Sequence, residues 1–121
     1  LFYGGPVEPE TIFFLHSLGP EVPGTLPVGQ GLYWGGDANY IRDRINRGLV
    51  KPGQIRFFIG YSGWAAGQLQ DELDRDSWIV SKASVIDILS PRPLEMWSAA
   101  MKALGRNYAI WSTLPFDPEM N

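Results

Sequence analysis

The sequence contains no cysteine and a single histidine, His16, and both shortages exclude classes of functional site. Without cysteine there is no disulfide scaffold, no thiolate-bound zinc or iron–sulfur cluster, and no thiol nucleophile. One histidine cannot supply a histidine-based metal site. We therefore predict no metal site and no cofactor, and the motifs identify no catalytic residue.

Long hydrophobic runs are also missing, since no apolar stretch approaches the roughly 18–20 residues that a transmembrane helix needs. The start, Leu1–Pro6, shows neither the basic region nor the small-residue cleavage site of a signal peptide. We therefore expect a cytoplasmic protein with no membrane partner. Leu1-Phe2-Tyr3 has the pattern of a strand interior and no initiator Met precedes it, so we also expect that an upstream segment has been removed.

The amino-acid composition is typical of one folded domain. The 121 residues are 45% hydrophobic and 19% charged, which is enough to bury a core. Fourteen glycines and ten prolines predict many turns, and the last residues form a proline-broken tail. We place a single, N-terminally incomplete domain at 1–112 and the tail at 113–121. The net charge of −3 makes a nucleic-acid partner unlikely, because such domains are usually basic.

Residue patterns predict a series of short strands and helices that alternate irregularly. Helices are expected at 38–47, 67–74, 84–89 and from Pro93 to Leu104; the predicted strands lie at 1–3, 11–16, 32–34, 54–61, 78–80 and 108–111. Asp37 is a good N-cap, and Ser84 with Asp87 resembles a capping box. Residues 17–30 are expected to form a loop. This irregular order favours an α+β fold with a mixed, curved sheet.

The stretch Gly60–Leu69 is the most informative motif. Ser62 invites comparison with a nucleophile elbow, but that motif needs glycine where Trp64 stands, and His16 is the sole possible base. We interpret the glycines as turn formers, with Trp64 buried as the plug that packs the turn on the sheet and with Gln68 and Glu72 bonded to loop amides. The candidate ligand-binding residues are Tyr61, Ser62, Trp64, Gln68 and Glu72. The residues with a structural role are Gly4, Gly5, Pro6, Gly60, Gly63, Gly67 and Trp78.

Aromatic and charged side chains elsewhere receive structural interpretations. Four tryptophans are expected in the core because their spacing follows element faces: Trp64, Trp78, Trp97 and Trp111. His16 is expected to be a hydrogen-bonded strand residue. A basic patch could contact phosphates or could equally pair with the acidic run 71–76, within or between chains; its candidate nucleic-acid residues are Arg42, Arg44, Arg47 and Lys51. The acidic run itself lacks calcium-loop spacing and is expected to be a solvated helix face.

The central motif resembles the YqgE/AlgH family of bacterial proteins, a likeness that extends over roughly residues 1–112. It is carried by the Gly-Tyr-x-Gly-Trp-x-x-Gly-Gln-Leu pattern at Gly60–Leu69, then by Glu72-Leu73, Ser77-Trp78 and the early Gly4-Gly5-Pro6-Val7. The resemblance implies an α+β fold whose strongly bent sheet forms a partial barrel with helices packed around it. It implies no catalytic residue. Family members are often labelled transcriptional regulators, although no helix-turn-helix is visible here.

Three functions follow from these observations, and we favour the first. The protein binds an unknown protein or small ligand; alternatively it regulates transcription, or it is an enzyme with a site around Gly60–Leu69. Binding predicts that the motif side chains are buried and mutually packed, whereas an enzyme predicts polar groups facing an open pocket. We also expect either self-association through an exposed strand edge or a large exposed apolar patch along Leu1–Tyr3 or Phe57–Ile59.

Overall fold

An open, mixed five-stranded sheet forms the centre of the computed structural model, which describes residues 1–90 and 92–113. Its strands are β1 (Phe2–Tyr3), β2 (Val7–His16), β3 (Leu26–Gly29), β4 (Leu32–Trp34) and β5 (Ile55–Tyr61). They are ordered β1-β5-β2-β4-β3, with β1 parallel to β5 and the other neighbours antiparallel. The predicted α+β class with a mixed sheet is confirmed. Within the described residues β1 and β3 are free edges, so the sheet is open rather than barrel-like.

Five helices lie within the described residues, and the first and third begin directly after the capping residues that the sequence indicates. They are α1 (Ala38–Asn46), α2 (Gln68–Asp74), α3 (Val85–Ile88), α4 (Pro93–Ala103) and α5 (Arg106–Ala109). Asp37 accepts hydrogen bonds from the amides of Asn39 and Tyr40, and Ser84 and Asp87 form a reciprocal capping box. None of the described helices combines the length and apolar character required to traverse a bilayer. The predicted tail lies outside the described residues from position 114 onward.

One face of the sheet holds the hydrophobic core beneath α1. Directly opposed residues of an antiparallel pair point to the same side, so the Phe14–Phe57 pair places both rings on this face. Phe14 packs with Val22 and with Ile41 of α1, and all three are buried. The core therefore depends on α1 and on the loop that carries Val22.

The opposite face is aromatic and contains a buried cation. Phe13 stacks on Trp34 with ring centroids 5.8 Å apart. The Arg56 guanidinium lies 4.9 Å from the centroid of the Phe2 ring and donates a hydrogen bond to the carbonyl oxygen of Ser90. Burial lowers the pKa of Arg56 from its usual value. This one side chain contacts both β1 and the segment that follows α3.

His16 is a fully buried structural residue, which agrees with the expectation from its strand position. Its Nδ1 accepts from the Leu18 amide at 3.2 Å, so the ring proton lies on Nε2. Nε2 is 3.1 Å from the Gly35 carbonyl oxygen and 3.0 Å from Thr25 Oγ1. The histidine therefore joins β2 to the ends of β3 and β4.

Three predicted segments differ from the structure. Residues 78–80, expected as a strand, belong to no helix or strand, and 108–111 lie in α5 and a 3-10 turn at Ile110–Thr113. The segment 108–111 is helical because the amides of Tyr108 and Ala109 donate to the Gly105 carbonyl oxygen and start a helix. The predicted loop 17–30 contains β3, whose Pro27 is tolerated because an edge strand needs no donor there.

The expectation that four tryptophans lie in the core is wrong. Trp64, Trp78, Trp97 and Trp111 are all exposed by about half of their surface, between 41% and 52%. Side-chain spacing identifies a common face on a short element, but it does not show whether another element covers that face. No residue of α2, which follows Trp64, is buried.

The turn after β1 and the end of β5 approach each other too closely for side chains. Gly60 has a left-handed φ of 66°, and a Cβ built on it would overlap the Gly5 carbonyl oxygen and lie 2.8 Å from that of Val7. Gly67 also has a positive φ of 82°, but a Cβ there would meet no heavy atom within 4 Å. The predicted lack of space is therefore confirmed at Gly60, whereas Gly67 is required for its conformation alone.

Substitution of these two glycines by alanine distinguishes the cost of steric overlap from the cost of backbone strain. We expect Gly67→Ala to lower the free energy of unfolding by about 1–2 kcal/mol, the usual cost of a left-handed alanine. Gly60→Ala adds overlap with backbone atoms and should lower it by more than about 2 kcal/mol. Urea denaturation of both variants measures the difference. Equal losses would show that the β1 turn and β5 separate easily.

Candidate functional site

The beginning of the central motif is attached to the sheet. The Tyr61 ring meets Phe13 edge to face, with centroids 5.5 Å apart. Ser62 Oγ donates to the Gly4 carbonyl oxygen at 3.2 Å, which links the motif to the turn after β1. His16 cannot serve Ser62 as a base, because both of its ring nitrogens bond to other groups. The nucleophile-elbow interpretation therefore lacks its base.

Glu72 is the centre of a hydrogen-bonded cluster that we call the indole cluster, defined as Trp64, Gln68, Glu72 and Trp78. Glu72 Oε2 accepts from Trp78 Nε1 at 2.7 Å and from Trp64 Nε1 at 3.1 Å. Its other oxygen, Oε1, accepts from Gln68 Nε2 at 2.9 Å. Gln68 Oε1 in turn accepts from the Ala65 amide at 3.0 Å, as the sequence predicts for a loop-binding glutamine. The cluster thus connects the glycine-rich loop, α2 and the segment after α2.

Local backbone geometry explains how these residues meet. Gln68 and Glu72 are one turn apart on α2 and therefore share a face. The helix ends in a Schellman motif, in which Asp76, with φ 57°, donates to the Leu73 carbonyl and Ser77 donates to the Glu72 carbonyl. This reversal returns the chain toward Glu72 and places Trp78 against its carboxylate.

The three donors favour the charged form of Glu72. They lower the pKa of its carboxyl, with the Trp78 hydrogen bond as the largest cause, followed by those from Gln68 and Trp64. A carboxylate with a lowered pKa and both oxygens occupied is a weak proton acceptor. The arrangement suits the orientation of side chains better than acid–base chemistry.

The two indole rings are held together and remain open to solvent. Their centroids are 5.8 Å apart at an interplanar angle of 61°, and Trp64 and Trp78 are 41% and 47% exposed. Trp64 is therefore not a buried plug, and Glu72 bonds to indole N–H groups instead of loop amides, so both of these predictions are wrong. The partnership of Glu72 with Trp78 was missed because it depends on the left-handed Asp76, which no short motif indicates.

The remaining structural residues of the motif lie around the turn after β1. Gly4 donates its amide to the Ile59 carbonyl oxygen at 2.8 Å, and Gly5 approaches Tyr61 too closely for a side chain. Pro6 is exposed at the following bend. At Gly63 a Cβ would make an ordinary contact with the Tyr61 ring. Gly63 therefore does not share the steric restriction of Gly60.

The basic patch on α1 makes local contacts with its own helix. Arg47 Nε forms an ion pair with Asp43 at 3.0 Å, Arg42 bonds to Asn39, and Arg44 lies over the Tyr40 ring. Lys51 is exposed beyond the helix end. Between the described residues, no ion pair joins this patch to the acidic run 71–76. The described part of the chain also contains no group of acidic or histidine side chains that could hold a metal ion.

Two cavities lie away from the indole cluster. One, of about 330 Å³, is apolar and is lined by Leu1, Ile12, Phe14, Ala38, Ile41 and Phe57. The other, of about 360 Å³, lies between α4 and the segment around Ser81. None of the five candidate ligand-binding residues lines either one. Of the two places where an apolar patch is expected, Leu1 and Tyr3 are 69% and 74% exposed, whereas the side chains of Phe57–Ile59 are only partly exposed.

Comparison with curated proteins gives relatives over the full chain. The chain is 42% identical over 121 residues to the UPF0301 protein Cpha266_0885 of Chlorobium phaeobacteroides, covering 100% of this chain and 65% of that protein. It is also 42% identical over 121 residues to the UPF0301 protein BF2109 of Bacteroides fragilis, covering 61% of that protein. The chain thus spans somewhat less than two thirds of the length of these relatives.

Solved structures share the fold. The AlgH protein from Pseudomonas aeruginosa superposes with a TM-score of 0.70 at 30% identity, covering 95% of this chain and 59% of that one. A Corynebacterium diphtheriae protein has a TM-score of 0.73 at 22% identity, covering 94% and 60%, which shows the fold alone. A family model described as AlgH-like matches residues 1–109. The resemblance seen in the central motif is therefore confirmed, and the chain belongs to the AlgH-like family.

Proposed function

We propose that the protein acts by binding a protein partner through the indole cluster. The observation that carries this proposal is the Glu72 carboxylate, which orients two exposed indoles by hydrogen bonds of 2.7 and 3.1 Å. Tryptophan is enriched among the residues that contribute most to protein–protein binding energy. Large, exposed aromatic rings that are already fixed in position are typical of such surfaces.

Fixing the rings before binding favours association. A free tryptophan side chain loses rotamer freedom when it enters an interface, and that loss weakens binding. In this protein the indole N–H groups are already bonded to Glu72, so a partner can cover the ring faces without leaving a buried donor unsatisfied. The nearby Leu69, Ile79 and Val80 are also exposed and would enlarge the apolar area.

Catalysis at the motif has less support. Glu72 is committed to three donors and Ser62 bonds to the Gly4 carbonyl, so neither is poised for proton transfer or attack. The prediction that binding would bury the motif side chains is wrong, because Ser62, Trp64 and Gln68 are exposed. The mutual contacts that it also predicts are present in the indole cluster. Exposure favours an external partner over a purely structural role.

Transcriptional regulation is our second candidate. Its support is a group of three arginines in and just after α1, of which Arg42 and Arg47 are exposed and Arg44 is partly exposed. The net charge of −3 and the ion pair of Arg47 with Asp43 weaken its attraction for phosphate. Self-association through the β1 edge and a cytoplasmic location also stay predictions.

Protonation of Glu72 should release the indoles. Its pKa is lowered in the folded protein, so the stabilisation is present above the ordinary glutamate pKa of about 4.3 and is lost as pH falls through the lowered value. We expect tryptophan fluorescence to change below about pH 4 while far-ultraviolet circular dichroism still shows the fold. In Glu72→Gln this acid transition should be absent, whereas Glu95→Gln, at an exposed carboxylate on α4, should retain it. A transition of equal size in Glu72→Gln would contradict the assignment.

Truncation of Trp78 should weaken partner binding. A partner captured on the immobilised protein and then purified should bind Trp78→Ala at least about tenfold more weakly in calorimetry, as expected for a central aromatic contact. Ile86→Ala removes another exposed apolar side chain, on α3, and should bind like the parent. Equal affinities of parent and Trp78→Ala would refute binding through the indole cluster.

A further inference from the structure

The two rings of the indole cluster are held by contacts within one short stretch of chain. Trp64 and Trp78 both donate to Oε2 of Glu72, and Gln68 donates to its other oxygen. The reversal after α2 that returns the chain toward Glu72 is also made by neighbouring residues. The relative position of the two rings is therefore set locally, by the motif and by the helix that follows it.

Negative charge surrounds these rings. The face of an aromatic ring attracts a cation, and tryptophan does so most strongly. The Glu72 carboxylate lies at the N–H edge of both indoles and adds a full negative charge beside them. The run 71–76 contains four acidic residues and one arginine, a local charge of −3, and its aspartates Asp71, Asp74 and Asp76 are exposed. Rings and carboxylates together favour a positively charged group.

Arginine is the cation that suits this surface best. Its planar guanidinium is weakly hydrated and stacks on aromatic faces, whereas the lysine ammonium is a compact, strongly hydrated charge. The guanidinium can also donate two parallel hydrogen bonds to an aspartate carboxylate. The chain itself contains such pairs, since the Arg44 guanidinium lies 5.4 Å from the centroid of the Tyr40 ring and that of Arg56 lies 4.9 Å from the centroid of Phe2.

We propose that the protein partner of the indole cluster contributes an arginine side chain, whose guanidinium stacks on the indoles of Trp64 and Trp78 beside the acidic run 71–76. The proposal rests on the proposed function and names the group that is recognised. Arg75, the C-cap of α2, follows Glu72 by three residues and lies on the same side of the helix. Its charge opposes the incoming arginine and limits the affinity.

A peptide with one arginine between glycines provides the probe. Its control carries citrulline, which keeps the shape of the arginine side chain and has no charge. In an NMR titration, the indole N–H signals of Trp64 and Trp78 should shift with an affinity about tenfold or more higher for the arginine peptide. Trp97 and Trp111 are exposed to a similar extent and serve as internal controls. Equal affinity for the citrulline peptide, or an equal response of all four tryptophans, would overturn the proposal.

Charge variants test the acidic run without altering the rings. Asp76→Asn should weaken binding of the arginine peptide by about threefold, because asparagine tolerates the left-handed backbone but lacks the charge. Arg75→Gln should strengthen it by about threefold. The matched controls Glu95→Gln on α4 and Arg47→Gln after α1 remove the same charges elsewhere and should bind like the parent. Unchanged affinity in both Asp76→Asn and Arg75→Gln would contradict the proposal.

A captured partner separates this proposal from the proposed function. Enzymatic conversion of the partner's arginines to citrulline should weaken its binding to the parent protein by about tenfold or more. The same conversion should hardly change its residual binding to Trp78→Ala. If the partner depends on Trp78 but binds equally well after conversion, the proposed function stands and recognition of arginine is wrong. If it depends on neither, both are wrong.

Discussion

Antiparallel pairing of β2 with β5 determines where the other described elements lie. Its register opposes Phe14 to Phe57 on one face, where α1 completes the core, and Leu15 to Arg56 on the other. A shift of one residue would exchange these faces and bury the wrong set of side chains. The central motif begins at the end of β5, so the position of the indole cluster also follows from this pairing.

The Glu72 carboxylate is not arranged like a catalytic carboxylate. A catalytic carboxylate needs an available oxygen and a pKa suited to proton exchange. Here the side chains of Trp64, Gln68 and Trp78 donate to both oxygens of Glu72 and lower its pKa. The result is that two aromatic side chains are held in fixed positions at the surface. This is why we propose recognition and not chemistry for the motif, although it contains a serine, a glutamate and several glycines.

The helix caps could be predicted from the sequence, whereas the packing of one element on another could not. The Asp37 cap and the Ser84–Asp87 box depend on residues within three positions, and both are present in the structure. The Trp78–Val80 and Tyr108–Trp111 segments have β propensity, but a strand also requires a neighbour at the correct distance, which propensity does not encode. The exposure of the tryptophans was missed for the same reason. The bond of Gln68 to a loop amide was predicted, while the Glu72–Trp78 bond was hidden by the unusual left-handed conformation of Asp76.

The Arg56 side chain has a consequence for how the molecule opens. Its guanidinium lies against Phe2 of β1 and bonds to the Ser90 carbonyl, so a strand at the sheet edge and the chain leading to α4 share one buried cation. The described contacts of α4 are mainly with α5 and the turn after it, not with the sheet. Local opening of α4 and α5 can therefore leave the β2–β5 pair intact. Such an opening would take the Ser90 carbonyl away from a buried guanidinium, and the lost hydrogen bond would add to its cost.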